Sequence, residues 1–227
     1  MLINHRKHKV RPGFMDNGKR VYVIDNPLAK YFLTILRDKN TMPPKFREIM
    51  RKLGFILAYE ISRELKWKEV TVETPLSKAR GLEPYTNIWI IAILGAGVPL
   101  ALGMHEAFPW AGLGFIAARR FEEDKDIRVE VYYERMPESL RGTIAIIADP
   151  MLATGNTMVK VLEIVRRREC EKAIIASVVA SKYGIKKLLN SFNDVNIYVL
   201  AIDPELNDKA FIVPGLGDAG DRALSSI

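Results

Sequence analysis

The stretch Ile144–Thr157, IAIIADPMLATGNT, constrains the fold more than any other part of the chain. The apolar run Ile144–Ala148 has the length and composition of a strand buried on both faces, as in a parallel sheet. It ends at a single carboxylate, Asp149; a short loop follows, and a Thr-Gly-Asn-Thr turn opens a helix near Asn156. Gly155 lets the backbone come close to a ligand, and Thr154 and Thr157 add hydroxyl donors. The N–H groups and positive dipole end of the helix then favour an anion. A carboxylate at that place repels phosphate but suits the hydroxyl pair of a ribose. Strand, acid, loop and turn together predict a site for a phosphorylated sugar. The segment is neither a Walker loop, since no Lys follows Gly155, nor a dinucleotide fingerprint, since it holds one Gly. The plainer alternative is a generic strand–loop–helix turn with an Asp on its rim.

The C-terminal segment Phe211–Arg222, FIVPGLGDAGDR, carries three Gly and one Pro in twelve residues. Such punctuation predicts a pre-shaped loop whose backbone N–H and C=O groups face a ligand. A tight turn packed for stability is the plainer alternative.

At 227 residues the chain is long enough for one substantial core. Hydrophobic content of 48% and charged content of 27% are ordinary for a soluble globular protein. No apolar run approaches the roughly 18 residues of a membrane span, and the start MLINHRKHKV lacks the core of a signal peptide. The single cysteine, Cys170, argues against a disulfide framework and for a reducing, cytoplasmic setting. The net charge of +7 raises the question of nucleic acid. Residues 1–20, however, hold six basic residues against Asp16, so +5 of that charge sits in an N-terminal arm. No specific nucleic acid and no membrane is therefore expected. His5 and His8 in the arm have no Cys or acidic neighbour at metal-ligand spacing.

Beyond the arm, Val21–Ile24 is short and apolar, and Asn26 with Pro27 opens a helix. Pro43 and Pro44 open a longer one with Phe46, Ile49, Met50, Leu53, Leu57 and Ile61 on its buried side. Two helices ahead of the first strand predict a hood or an oligomer contact. Strands are expected at Val70–Glu73, Asn87–Leu94, Gly112–Ala118, Thr143–Ala148, Lys172–Ala180 and Val195–Ile202. Helices are expected at Val98–Phe108, Asn156–Arg168 and Gly184–Phe192. The alternation predicts an α/β fold with right-handed crossovers and a parallel sheet covered on both faces. Ligands in such sheets bind at the C-terminal strand ends, where the Asp149 and Gly95–Gly97 turns fall. Ile127–Tyr133 alternates after the charged run Arg119–Asp126 and predicts a projecting hairpin, a flap or a solvated ribbon. The expected organisation is a basic arm, 1–20, and one domain, 21–227.

The Asp-Pro-Met-Leu-Ala-Thr-Gly segment resembles the phosphoribosyl pyrophosphate (PRPP) motif of the uracil phosphoribosyltransferases, and IVPGLGDAGDR resembles their uracil loop. NPLAKYFLTILRDKNT, FREIMRKLGFILAYEISREL, VETPL, ILGAGV, YYERMP and AIDPELND are similar to other parts of that family, so the resemblance runs from about Val21 to Arg222. It implies a phosphoribosyltransferase-like fold with N-terminal helices, a hairpin flap and a C-terminal base loop. It implies PRPP contacts at Gly95, Arg119, Arg120, Asp149, Pro150, Met151, Leu152, Ala153, Thr154, Gly155, Asn156, Thr157 and Asp218. Uracil is expected at Ile212, Gly217, Asp218 and Ala219. Asp149, Asp218 and Arg119 would carry the chemistry, with Arg119 preferred over Arg120 as the flap arginine.

The implied reaction is that of pyrimidine salvage: uracil and PRPP give UMP and pyrophosphate. Mg2+ would be held through PRPP rather than by protein ligands. The resemblance also implies a homodimer or homotetramer and an allosteric effector such as GTP or CTP, for which the basic stretch Arg37–Lys45 is a place. The chain departs from the family pattern in three places. Gly95 replaces the usual Arg of the pyrophosphate loop, Phe211 replaces Tyr, and the end Leu224–Ile227 lacks an aromatic-glycine finish. Gly95 supports a second reading, a catalytically weak nucleotide- or PRPP-sensing paralogue; Phe211 supports a third, an enzyme for another base.

Overall fold

The computed structural model describes residues 11–12, 20–123 and 126–226. Most of the basic arm, with His5 and His8, lies outside them. The described chain enters through β1 (Arg11–Pro12) and β2 (Val21–Val23), then two helices, α1 (Pro27–Arg37) and α2 (Pro43–Ile61). α1 begins where its cap residue dictates. Asn26 Oδ1 accepts from the N–H groups of Leu28 at 2.9 Å and Ala29 at 3.1 Å, and Pro27 occupies the first turn, where no donor is needed. Next come β3 (Trp67–Glu73), β4 (Lys78–Pro84), β5 (Asn87–Ile93), α3 (Gly97–Ala107), β6 (Gly112–Glu123) and β7 (Asp126–Arg135). β8 (Thr143–Ala148), β9 (Met151–Leu152), α4 (Asn156–Arg167), β10 (Lys172–Ser181), α5 (Lys182–Ser191) and β11 (Asn196–Asp203) complete the alternating part. The C-terminal segment holds β12 (Glu205–Leu206), β13 (Ile212–Val213) and α6 (Ala219–Leu224).

The main sheet runs β1-β2-β11-β10-β8-β5-β6-β7, with β9 against β10. Every pairing from β2 to β6 is parallel, and the two edge pairs, β1–β2 and β6–β7, are antiparallel. Alternation along β8 sends Ile144, Ile146 and Ala148 into one apolar cluster, shared with α1, α2 and α3. Ala145 and Ile147 go into the other, shared with α4 and α5. The result is a three-layer α/β fold whose central strands are apolar on both faces, which is why Ile144–Ala148 reads as an unbroken apolar run.

Three elements refine the sequence expectation. Val70–Glu73 is not a core strand. It is the second half of β3, which pairs only with β4, from Trp67↔Pro84 to Glu73↔Lys78, as a separate hairpin. A period-2 pattern of mixed polarity says that a strand forms but not which strand it joins. The N-terminal helices, expected as a hood or an oligomer contact, pack directly on the sheet. Phe46, Ile49, Met50, Leu53, Leu57 and Ile61 of α2 are fully buried in the same cluster as Ile90 and Ile146. The last strand of the base segment is followed by a helix, α6, rather than by loop alone.

Candidate active site

Asp149 stands at the C-terminal end of β8, and its N–H donates to Ala176 O at 3.2 Å. Its carboxylate accepts a long bond of 3.4 Å from Met151 N–H, which turns the chain back beyond β8. Pro150 O takes the N–H groups of both Val178 and Val179 at 3.0 Å, and β9 then pairs Met151 and Leu152 with Val179 and Ala180. Ser181 Oγ donates to Ala153 O at 2.5 Å and accepts from Gly184 N–H at 2.8 Å, so the start of α5 braces the same loop. The turn is thus pinned along β10 and the start of α5. Gly155 lies at φ +82° as the N-cap of α4 and supplies no side-chain cap; this left-handed conformation suits glycine. Thr154 and Thr157 are both buried. Two hydroxyls and the first N–H groups of α4 thus lie within one short turn, a composition that suits an anion.

Lys187 of α5 donates to Asn156 Oδ1 and so brings an ammonium to the first residue of α4. Sequence reasoning missed it, because nothing local ties SKYGIKKL to the Thr-Gly turn. The contact exists because Gly184 packs against the Ala153 and Gly155 backbone.

The Gly95–Gly97 turn adjoins the acid directly. A Cβ on Gly97 would lie 2.6 Å from Ala148 O, the carbonyl just before Asp149. The Leu94–Gly95 peptide is cis. A side chain at position 95 would run into Leu224 Cδ1 of α6, so Leu224 fills the space an arginine there would enter. Gly95 is not among the residues with positive φ. β6 pairs with β5 as far as Ile93↔Ile116, and beyond that it continues only with β7, past an irregularity at Ala117/Ala118. The flap therefore continues past the C-terminal end of β5. Arg119 opposes Glu130 on this ribbon, and its exposed guanidinium stands 5.5 Å over the Phe121 ring. The Arg120 side chain lies outside the described residues.

The base segment is shaped by long-range bonds. Asn207 Oδ1 accepts from Lys209 and Phe211 N–H at 3.0 and 2.9 Å, and β12 pairs with β13. A cis Val213–Pro214 bond and two positive-φ glycines, Gly215 and Gly217, turn the chain. Ile212 and Ala219 are buried, whereas Gly217 and Asp218 are exposed. Asp218 caps α6 by accepting from Asp221 N–H at 3.0 Å. Arg222 donates back to Leu216 O at 2.8 Å and to Asp38 O at 2.5 Å, with its guanidinium 4.5 Å over Phe46. Burial holds the Arg222 pKa below the usual arginine value, with Asp38 opposing the shift.

Through Ala148–Gly97 and Gly95–Leu224, the acid turn, the glycine turn and the base segment form one contact chain at the C-terminal ends of β8 and β5. The chain is similar to known proteins over nearly its whole length. A family model described as uracil phosphoribosyltransferase matches residues 23–225. The uracil phosphoribosyltransferase of Pyrobaculum islandicum is 49% identical over 209 residues, covering 91% of this chain and 99% of that protein. That of Aeropyrum pernix is 46% identical over 206 residues, covering 90% and 96% respectively. A solved structure described as the AQ2163 protein from Aquifex aeolicus superposes with a TM-score of 0.84 at 34% identity. It covers 91% of this chain and 100% of its own. Matching over nearly its whole length, the chain belongs to the uracil phosphoribosyltransferase family.

Proposed function

We propose that the chain transfers the phosphoribosyl group of PRPP to uracil, giving UMP and pyrophosphate. The observation that carries this reading is the contact chain that joins Asp149, Gly95–Gly97 and the base segment at the C-terminal ends of β8 and β5. Thr154–Thr157 hold the 5-phosphate, with Lys187 supplying positive charge beside Asn156, and Asp149 takes the ribose hydroxyls. Gly95 and the flap arginines Arg119 and Arg120 face the pyrophosphate. Ile212, Gly217, Asp218 and Ala219 read the base, largely through main-chain groups. Breaking the anomeric C–O bond leaves positive charge on the sugar and negative charge on pyrophosphate. The residues therefore position both substrates, stabilise those charges and exclude water, without a covalent nucleophile. The uracil N1 proton leaves to the Asp218 carboxylate or, alternatively, to a water chain. Mg2+ supplies charge neutralisation on the pyrophosphate when bound. That ion would be carried in by PRPP rather than held by protein ligands.

The same reading includes a homodimer or homotetramer, supported by the β3–β4 hairpin, whose tip residue Leu76 is 96% exposed. It also includes a nucleotide effector. Arg37 is committed inside the fold, so the place for that effector is the open cavity of about 500 Å3 lined by Lys39–Pro43, Asp221, Arg222 and Ser225.

UMP formation from uracil and PRPP, with cytosine, orotate, hypoxanthine and adenine as controls, tests the activity. Asp149→Asn should keep the fold and lower kcat/KM for PRPP by at least tenfold, about 1.4 kcal/mol. Unchanged kinetics would remove Asp149 from the site. Absence of turnover with every base, together with intact PRPP binding, would favour the sensing paralogue that Gly95 motivates.

A further inference from the structure

Arg37, the last residue of α1, and Asp203, the last of β11, form a bidentate ion pair, with Nη2–Oδ1 at 2.7 Å and Nη1–Oδ2 at 2.9 Å. Their side chains are 25% and 6% exposed, so the pair is largely withdrawn from water. Both partners also hold one residue of the base segment. Arg37 Nη1 donates to Gly215 O at 3.1 Å, and Asp203 Oδ2 accepts from Gly215 N–H at 2.9 Å. Gly215 lies at φ +59°, and a Cβ there would collide with Ile212 O, so this backbone is both unusual and tightly packed.

A second arginine runs the opposite way. Arg222 leaves α6 to bond the Leu36 and Asp38 carbonyls on either side of Arg37, and bonds Leu216 O on the way. The end of α1 and the base segment therefore exchange arginines. Residues 215 and 216 are fixed just before Gly217–Ala219.

A buried ion pair is a poor device for stability alone. Desolvation offsets most of its attraction, and an apolar pair of similar volume commonly does as well. An apolar pair cannot satisfy the N–H and C=O of Gly215. Recognition of a small planar base by main-chain groups depends on those groups being held in place before the base arrives. We propose that Arg37 and Asp203 are positioning residues that set uracil affinity by holding the backbone of Gly215. The proposal rests on the reading of Ile212–Ala219 as the base loop.

Four variants test it: Arg37→Lys, Arg37→Met, the double variant Arg37→Met with Asp203→Leu, and Gly217→Val inside the loop. For each, uracil KM, kcat, PRPP affinity measured by calorimetry without uracil, and Tm are compared with the parent. Lysine cannot span Asp203 and Gly215 O as the planar guanidinium does. Arg37→Lys should therefore raise uracil KM at least about tenfold, while PRPP affinity stays within about twofold. The apolar double variant should recover Tm relative to Arg37→Met alone but keep the raised uracil KM. Recovery of uracil KM along with Tm would make the pair a stability device and overturn the proposal. Equal loss of uracil and PRPP affinity would overturn it too, as general damage. A raised uracil KM in Gly217→Val, with the Arg37 and Asp203 variants unmoved, would overturn the positioning role alone. A normal uracil KM in Gly217→Val would overturn the base-loop reading itself, and the positioning role with it.

Discussion

Gly95 stands where the resemblance leads one to expect an arginine, and Leu224 of α6 lies against it. Leu224 Cδ1 occupies the ground an arginine side chain would enter, and Leu224 is itself exposed. The obstruction is the far end of a flexible side chain, and Gly95 has no positive φ that forbids substitution. Gly95→Arg combined with Leu224→Ala should therefore be accommodated and should tighten pyrophosphate inhibition. One charge-assisted phosphate contact is worth about 1.5–3 kcal/mol, so the expected gain is about tenfold or more. Gly95→Arg alone should gain less, because Leu224 must first be displaced. Inhibition by pyrophosphate across the parent, both single variants and the double variant decides. Weaker inhibition in the double variant would show that the turn needs its close backbone approach more than it lacks a charge. At this scale the chain was legible where chemistry is contiguous. Asp149, Thr154, Gly155 and Thr157 lie close together in sequence, so the proposed site can be read from contiguous residue types. Arg37, Asp203 and Lys187 were not legible, because their partners at Gly215 and Asn156 are remote in sequence and only the fold joins them.

Among the elements, the flap shows how far a pattern reaches. Alternation after the charged run predicts a hairpin, and β6–β7 forms one, with its antiparallel register running from Phe115↔Arg135 to Glu123↔Asp126. The irregularity at Ala117/Ala118 was not visible in the residue types. It matters because a register shift changes the twist of the strand just before Arg119. If both arginines serve one polyanion, their effects should be coupled. Arg119→Ala and Arg120→Ala should each weaken PRPP binding, and the double variant should lose more than either single one without reaching their sum. PRPP affinity measured over that four-protein cycle is the check, and strict additivity would mean that the two side chains act separately. The β3–β4 hairpin is the counter-example. The sequence of β3 alternates like a sheet strand, yet it leaves the sheet, since strand pairing is decided by partners rather than by pattern.

For the whole molecule, the residue periods established the layers, and topology had to supply the neighbours. The alternation of β8 between two clusters follows from its side chains, whereas the seating of β2 beside β11, registered Val21↔Ile197, has no local signature. One consequence of the layering can be measured at Cys170. It lies just beyond α4, buried in the cluster with Val161, Val165, Ile175, Leu188 and Ile197. Burial pushes its thiol pKa up, with Arg166 opposing, so the reactive thiolate is scarce in the folded protein. Reagent must wait for an opening, and the opening separates α4 from the sheet because β10, α5 and β11 all contribute to that cluster. The opposite end of α4 is the proposed phosphate cradle. PRPP binds only when that cradle is formed, so it should suppress an opening that involves all of α4. At free PRPP about 100 times its Kd, linkage adds about 2.7 kcal/mol, and modification of Cys170 by a thiol reagent should slow about 100-fold. Raising the pH should speed modification with and without PRPP alike, since thiolate is the reacting form in both cases. If saturating PRPP slowed the reaction less than about twofold, Cys170 would be reached by fraying at the α4 C-terminus alone. The cradle and the lower core would then open independently.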